Sequence, residues 1–253
     1  MDRQIEDYIF EDLDLRDRIV LDAATGVGHA TRRWAHHMAS AGRGGKLISV
    51  DIDQPTDLVE RIEADLAGLD LCLQVVEADI FNLHMIDDGT VDIVSCDDTV
   101  VFLNPRPLKL LSAFEEFHRV LGSGGELIIV SEIPVERANT TMGQWRRWNL
   151  AKAIWALAGE TWSTEPLPEE MTLGLRLAGF GGFRKRIFPP STTRNYEGVL
   201  KEWRQQMIDR VNAVPWLGLK RPMLDTIETV CDEIHERGYL TIPGQYVLKC
   251  TKL

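Results

Sequence analysis

The sequence predicts an α/β fold in which a mostly parallel sheet is covered by helices on both faces. Over the first 133 residues, short apolar segments alternate with segments of helical periodicity, a pattern typical of crossovers between parallel strands. Several apolar segments end in aspartate, and the first leads directly into the glycine-containing turn LDAATGVGHAT at 21–31. Such residues are expected at the carboxyl edge of a parallel sheet, where ligands bind.

The predicted elements follow one another in a regular order as far as Ile133. Strands are predicted at 18–23, 46–53, 71–80, 91–98 and 125–133, and helices at 29–42, 55–70 and 106–122. An apolar face of the first helix, which includes Trp34 and Met38, is expected to be buried. His36 and His37 on the same helix are expected to face solvent.

Beyond this point the alternation stops. Residues 134–172 contain four of the seven tryptophans and no convincing strand, and residues 195–238 are largely helical in pattern. The segment 173–190 predicts a helix, a glycine-rich turn and a strand, and QYVLKCTKL predicts a last strand. We therefore expect a single domain over 1–253, with helical insertions at about 134–172 and 191–240.

Composition and charge argue against several classes of protein. The net charge is −11, with 11 Lys and Arg against 26 Asp and Glu up to residue 133, and 17 against 13 after it. A nucleic-acid partner needs a basic face, so this balance argues against one. No apolar run reaches the roughly 18 residues of a membrane span, and the acidic amino terminus lacks a secretory signal pattern. Four widely spaced cysteines predict reduced thiols and no metal site, so we expect a cytoplasmic protein.

Acidic and small residues mark the ends of four predicted strands. They are Asp22 with Gly26 and Gly28, Asp51 with Asp53, Asp79 with Ile80, and Asp97 with Asp98. Glycines let the backbone approach a ligand closely, and an acid about 20–30 positions beyond them suits the hydroxyls of a ribose. Asp79 is placed to accept a hydrogen bond from an adenine amine.

The glycine turn on its own leaves several interpretations open. A nicotinamide or flavin fingerprint needs G-x-G-x-x-G, and Thr31 stands where the third glycine belongs. A lone G-x-G also occurs in strand-to-helix turns that bind nothing. Asp53 is interpreted as a cap of the helix at Pro55, and Asp97 with Asp98 either as functional carboxylates or as loop caps.

Five segments together resemble, in order and spacing, the class I S-adenosylmethionine-dependent methyltransferases. They are LDAATGVGHAT, SVDID, EADIFNL, VDIVSCDD and FHRVLGSGGELIIVSE. The resemblance extends over about 15–133, 171–190 and 244–252, and is greatest to the small-molecule branch that includes quinone-biosynthesis C-methyltransferases. It implies a Rossmann-like, seven-stranded sheet with an antiparallel last strand, and S-adenosyl-L-methionine as the cofactor.

The resemblance also implies roles for individual residues. Asp22, Gly26 and Gly28 would line the methionine end of the cofactor, with Ala24 standing where the family has its first glycine. The ribose hydroxyls would be held by Asp51, beside Ile52. The adenine amine would meet Asp79, the ring would meet the backbone N–H of Ile80, and the transferred methyl would lie near Asp97.

A general base is required only if the acceptor must lose a proton, and the candidates are Asp97, Asp98 and His29. His29 is alternatively the exposed start of a helix. The insertions are expected to form a lid over the acceptor, although some of their tryptophans must simply pack helices. The lid arginines are Arg137, Arg146, Arg147 and Arg194, and the predicted substrate residues are Tyr8, Trp145, Arg146 and Trp148.

These features predict methyl transfer to a small acceptor that is apolar or aromatic, with or without an acid group. Two alternatives stay open. One is an RNA or protein methyltransferase, in which the arginines would form an exposed basic groove. The other is a regulator that binds S-adenosylmethionine without turnover. The chain is expected to be a monomer or a homodimer.

Overall fold

The computed structural model describes residues 3–42, 45–103, 107–133, 142–160 and 165–253. Nine helices are found in these ranges: α1 Arg3–Phe10, α2 His29–Ser40, α3 Thr56–Asp65, α4 Val100–Leu103, α5 Pro107–Val120, α6 Met142–Leu157, α7 Pro168–Leu177, α8 Glu197–Ala213 and α9 Leu217–Arg237. The strands in the same ranges are β1 Ile19–Ala23, β2 Lys46–Asp51, β3 Cys72–Glu77, β4 Val91–Asp97, β5 Leu121–Glu132, β6 Phe180–Phe188, β7 Ser191–Thr193, β8 Leu240–Ile242 and β9 Gln245–Lys252.

Seven strands form one sheet in the order β3-β2-β1-β4-β5-β9-β6. Strands β1 to β5 pair in parallel, with Asp22 of β1 opposite Ser49 of β2 and Ser95 of β4. The end of β9 lies beside the starts of its neighbours, because Leu253 N donates to Gly179 O at 3.3 Å and Lys252 Nζ donates to Leu121 O at 2.7 Å. Strand β9 is therefore antiparallel, which confirms the predicted fold class.

The central strands of the sheet are buried at consecutive positions rather than at alternate ones, and most of the buried residues are apolar. Leu21, Leu47, Val50 and Val94 are fully buried, as expected for β-branched and aliphatic residues in parallel strands covered on both faces. The predicted apolar face of α2 is confirmed, since Trp34 is also fully buried.

Helix α1 was not predicted, and it explains why one expectation holds only in part. Phe10 at its end stacks on the ring of His37 with centroids 3.6 Å apart, and meets Trp34 edge to face at 4.8 Å. Glu6 and His37 are also within hydrogen-bond distance, at 2.8 Å. His37 is therefore partly covered by α1, with 36% of its side chain exposed, so the prediction that it faces solvent holds only in part, whereas it is confirmed for His36.

The chain divides into two compact units. The sheet unit comprises Met1–Ser131, Glu165–Ile187 and Tyr246–Leu253, and the helical unit comprises Glu132–Thr164 and Phe188–Gln245. Helix α7 belongs to the sheet unit, so the first insertion ends earlier than the predicted residue 172. Its residues Met171 and Leu175 are fully buried.

The helical unit has its own apolar core. Helices α6, α8 and α9 contribute fully buried residues such as Ile154, Val211 and Ile227. Strands β7 and β8 add a two-stranded antiparallel sheet in which Thr192 is opposite Thr241. Within the described ranges, no helix combines the length and the apolarity needed to cross a bilayer.

Candidate active site

The carboxyl edge of the sheet collects most of the residues that the sequence singled out. Strand order β3-β2-β1-β4 places the segments after these four strands side by side. Asp79, Asp51, the loop at 24–28 and Asp97 therefore lie along one edge, as the alternation of strands and helices predicted.

The loop at 24–28 turns sharply between β1 and α2. Ala24, Gly26 and Gly28 have φ of 77°, 51° and 85°, all in the left-handed region. The backbone N–H groups of Ala24 and Thr25 both donate to Val50 O at 2.9 Å, which anchors the loop to the end of β2. Ala24 thus adopts the conformation that glycine holds at lower cost.

Besides its left-handed backbone, close packing also requires glycine at position 28. A Cβ placed on it would lie 2.8 Å from the buried side chain of Ile62 on α3, so only glycine lets the loop and α3 approach this closely. Gly28 is also the N-cap of α2 and supplies no side-chain cap. The first backbone N–H groups of α2 therefore lack an internal partner, as is usual where a helix start receives an anion.

A buried polar cluster lies beneath this loop. Asp22 Oδ2 accepts from Thr31 Oγ1 at 2.6 Å and from Ser49 Oγ at 3.2 Å, and the Ser49 hydroxyl also lies 2.7 Å from that of Thr25. Burial raises the pKa of Asp22 to about 7, against the effect of these hydrogen bonds. Asp22 Oδ1 is buried and has no partner in the described part of the chain.

Asp51 closes the loop from the neighbouring strand. Its Oδ2 accepts from Gly26 N at 2.8 Å and its Oδ1 from Asp53 N at 3.3 Å. The next residue, Ile52, has 70% of its surface exposed. Asp53 does not cap α3, because the N-cap there is Pro55 with no side-chain cap bond; the capping prediction for Asp53 is wrong.

The segment after β3 forms a short turn. Asp79 Oδ1 accepts from Phe81 N at 3.0 Å, and Asp79 O accepts from Asn82 N at 2.8 Å. Asp79 is exposed and Ile80 is buried. The carboxylate of Asp79 therefore stands at the surface while its neighbour anchors the turn.

Asp97 forms an ion pair that the sequence did not reveal. Its Oδ2 accepts from Arg33 of α2, and the two side chains are 11% and 10% exposed. Asp97 Oδ1 is buried without a partner among the described residues. One feature of the sequence does point to Arg33. It immediately precedes the buried Trp34, and this position places the aliphatic part of the Arg33 side chain beside the apolar face of α2.

The other two candidate bases are more accessible. Asp98 is exposed and has a φ of 48°, which for a non-glycine residue is a strained conformation. His29 is exposed and is the first residue of α2, so the helix-start interpretation of its position is confirmed.

The predicted substrate residues are distributed over both units. Tyr8 of α1 lies in the sheet unit, with the guanidinium of Arg186 4.6 Å and the ammonium of Lys249 5.1 Å from its ring centre. Burial raises the pKa of the Tyr8 hydroxyl. Trp145 and Trp148 lie on α6 of the helical unit and are partly buried.

Two of the predicted lid arginines have different surroundings. Arg146 is ion-paired with Glu233 of α9, which gives it a partner within the helical unit. Its neighbour Arg147 is the buried one, at 6% exposed. Arg194 is exposed, and Arg137 lies outside the described residues.

Comparisons with known proteins bear on this site. Residues 21–129 match the family model described as a methyltransferase domain. The solved structure of BH2331 from Bacillus halodurans C-125 is 19% identical with a TM-score of 0.61, and the match covers 99% of this chain and 98% of that chain. A SAM dependent methyltransferase from Archaeoglobus fulgidus is 17% identical with a TM-score of 0.56, covering 99% and 94%.

A further solved structure contains the cofactor that the sequence suggested. Phosphoethanolamine N-methyltransferase 2 from Haemonchus contortus, in complex with S-adenosyl-L-methionine, is 13% identical with a TM-score of 0.57. The match covers 98% of this chain and 51% of that one. No curated protein is a significant match.

Proposed function

We propose that this chain, a class I S-adenosylmethionine-dependent methyltransferase, methylates a small acceptor that is apolar or aromatic. The observation that carries the proposal is the partly buried pair Trp145 and Trp148 on α6. The sequence prediction of an aromatic lid is kept as part of this proposal, and tryptophans that contact an acceptor favour one that is apolar.

The residues at the sheet edge fit the cofactor. The uncapped start of α2 would receive its carboxylate, and the unpartnered Asp22 Oδ1 would face its ammonium group. Asp51 has lone pairs left to accept from ribose hydroxyls, and the exposed Ile52 offers an apolar surface for adenine. When bound, the cofactor supplies a methyl group on a sulfonium that is already activated for displacement.

The protein's own contribution is therefore positioning and the exclusion of water. The ion pair with Arg33 fixes the orientation of Asp97. Asp97 thus serves to position and to polarise the methyl acceptor. If the acceptor must lose a proton, the accessible groups Asp98 and His29 take it. The likeness to quinone-biosynthesis enzymes stays a prediction from the sequence.

Substitution of Asp51 tests the cofactor site. Asp51→Ala removes the acceptor for ribose hydroxyls and the anchor of Gly26, so we expect the affinity for S-adenosylhomocysteine to fall about 100-fold or more. Isothermal titration calorimetry measures this directly. Asp53→Ala is the matched control, since only its backbone N–H contacts Asp51, and its affinity should stay within about threefold of wild type. Unchanged affinity in Asp51→Ala would contradict the assigned site.

Transfer of a labelled methyl group tests the acceptor class. Purified protein with methyl-labelled cofactor is incubated with a small-molecule extract, with total RNA and with total protein in separate reactions. The proposal expects label in aromatic small molecules. Label in RNA or protein would support the macromolecular alternative, and cofactor binding with no transfer to any fraction would support the non-catalytic one.

A further inference from the structure

The turn between helices α8 and α9 carries an apolar surface that the core of the helical unit leaves exposed. We call residues 212–222 the α8–α9 tip, and nine of these eleven residues are exposed. Among them, Trp216, Leu217 and Leu219 are 54%, 80% and 41% exposed. Large apolar side chains that are gathered at a surface, rather than scattered singly, mark a site of contact with another molecule.

The tip is joined to the helices on either side of it. Val214, the C-cap of α8, is buried and anchors the turn to the core of the helical unit. Lys220 Nζ donates to Asn212 O at 2.6 Å, and Leu219 N donates to Trp216 O at 3.0 Å. These bonds tie the start of α9 to the end of α8, so the turn presents its apolar side chains outward instead of folding them onto its own core.

The charge of the tip differs from that of the whole chain. The net charge of the protein is −11, yet residues 211–224 contain no Asp or Glu and two cations, Lys220 and Arg221. Arg221 lies one turn after Leu217 on the same face of α9. It pairs with Asp225 at 2.9 Å, but both side chains are more than half exposed. Such a pair is weak, so Arg221 can exchange it for a phosphate.

A bilayer surface that contains anionic lipids matches both properties of the tip. Tryptophan favours the boundary between headgroups and acyl chains, because its ring is apolar and its N–H can still reach water. Leucines beside it add apolar area, and the stems of Lys and Arg let their charges reach the lipid phosphates.

A second copy of the chain matches the tip less well. A symmetric contact through the tip would place the cations of one copy against those of the other. A stable protein interface also takes about 20–30 residues from each side, and the tip has nine exposed residues.

We propose that the α8–α9 tip binds the surface of a bilayer that contains anionic lipids. Trp216, Leu217 and Leu219 enter the headgroup boundary, while Lys220 and Arg221 contact lipid phosphates. The contact is peripheral and uses a turn between two helices. It goes beyond the proposed methyl transfer and does not depend on it, because its test needs neither cofactor nor acceptor.

Sedimentation with vesicles tests the binding. Wild type is mixed with vesicles of phosphatidylcholine alone, or of phosphatidylcholine with about one-third phosphatidylglycerol. At about 0.15 M salt, screening limits the repulsion between the lipids and the acids elsewhere on the protein to about 8 Å. Wild type should bind the mixed vesicles at least about tenfold more tightly than the neutral ones. Equal binding to both, or sedimentation with neither, would overturn the inference.

Matched substitutions test whether the tip is responsible. Leu217→Glu should weaken binding to mixed vesicles at least about tenfold, whereas Leu177→Glu should bind as wild type does, because Leu177 is a leucine of α7 with a similar exposure of 71%. Arg221→Gln should weaken binding about fivefold. Arg61→Gln is its control, since Arg61 is also exposed and paired with an aspartate four positions away, Asp57. Equal effects within either pair of variants would overturn the inference.

Light scattering after size-exclusion chromatography tests the second copy as the occupant. Wild type and Leu217→Glu should have the same mass in solution, and both should melt at the same temperature because the leucine is exposed. A dimer of wild type that becomes a monomer in Leu217→Glu would make the tip an interface between copies and would overturn the inference.

A fluorescent label locates the contact. Cys72 is exposed and the other cysteines are buried, so Leu217→Cys is made together with Cys72→Ser and labelled with an environment-sensitive dye. Its emission should shift to shorter wavelength when mixed vesicles are added, and the same dye at Leu177→Cys should not respond. A shift at position 177 without one at position 217 would place the contact on another surface and overturn the inference.

Discussion

Ala24 holds a left-handed backbone conformation that costs an alanine about 1–2 kcal/mol. Ala24→Gly removes this strain but adds backbone entropy to the unfolded chain, about 0.5–1 kcal/mol. We therefore expect the free energy of unfolding to rise by about 0.5–1 kcal/mol, measured by urea denaturation.

Gly28→Ala is the reciprocal change at the other end of the same loop. It introduces left-handed strain and a Cβ 2.8 Å from the side chain of Ile62, so we expect a loss of about 2–4 kcal/mol. Gly26→Ala serves as the control, because its Cβ meets nothing within 4 Å. If Gly28→Ala is as stable as Gly26→Ala, close packing against α3 is not the reason for Gly28.

Asp22 makes the stability of the fold depend on pH. Its folded pKa of about 7 lies above the model-peptide value of 3.8, chiefly because it is buried. Between these values the folded state binds the proton and the unfolded state does not, so the contribution of Asp22 to stability falls as the pH rises through that window.

Asp22→Asn should remove this dependence. The free energy of unfolding of Asp22→Asn relative to wild type should rise between pH 4 and pH 7, by at most about 4 kcal/mol, and level off above about pH 8. Denaturant titrations at each pH measure it. Parallel pH curves for the two proteins would contradict a raised pKa at Asp22.

The sequence predicted the residues at the strand ends because parallel strands bring their carboxyl ends to one edge whatever the tertiary detail. The positions of Asp22, Asp51 and Asp79 at the ends of apolar segments were enough to predict that they lie at this edge. The partner of Asp97 could not be found in this way, because Arg33 is 64 positions away in the chain. An ion pair at that separation depends on how α2 packs on the sheet.

At the scale of elements, Arg33 joins α2 to Asp97 at the end of β4, and the partly buried Arg32 joins α2 to Asp65 at the end of α3. Arg33→Met leaves the buried carboxylate of Asp97 without its partner, and we expect a loss of about 3–5 kcal/mol in the free energy of unfolding. Arg32→Met is the matched control, because the partner Asp65 is 55% exposed, and a pair of this kind contributes about 1 kcal/mol or less.

Urea denaturation of the two variants decides between the roles considered for Asp97. Equal, small losses would mean that the Arg33 pair contributes little, and Asp97 would then be free to act as a base. A large loss in Arg33→Met, partly restored when Asp97→Leu is added, would support a positioning role.

Long amphipathic helices and buried strands were predictable because their periodicity is strong. Helix α1 has eight residues, and β7 and β8 have three each, which is too few for a pattern to be distinguished from a loop. The boundary of the first insertion was misplaced for another reason. Helix α7 has a helical pattern like its neighbours, and nothing local shows that its start at Pro168 belongs to the sheet unit rather than the helical unit.

For the molecule as a whole, the net charge of −11 bears on the RNA alternative. We expect a labelled single-stranded RNA to bind no more tightly than about 10⁻⁴ M at 200 mM salt, the weak limit of non-specific binding. Fluorescence anisotropy at 50 and 200 mM salt measures this. Micromolar binding with a steep dependence on salt would favour RNA as the substrate.

Strand β9 has a consequence for how the protein is made. It lies between β5 and β6 in the sheet, yet the ribosome synthesises it after both. While the nascent chain emerges, β5 and β6 each expose a row of unpaired backbone groups, and edges of that kind invite pairing with other chains. The seven-stranded sheet closes only when β9 inserts between two strands that already exist. Chaperone demand should therefore be greatest in the interval between synthesis of β6 and of β9.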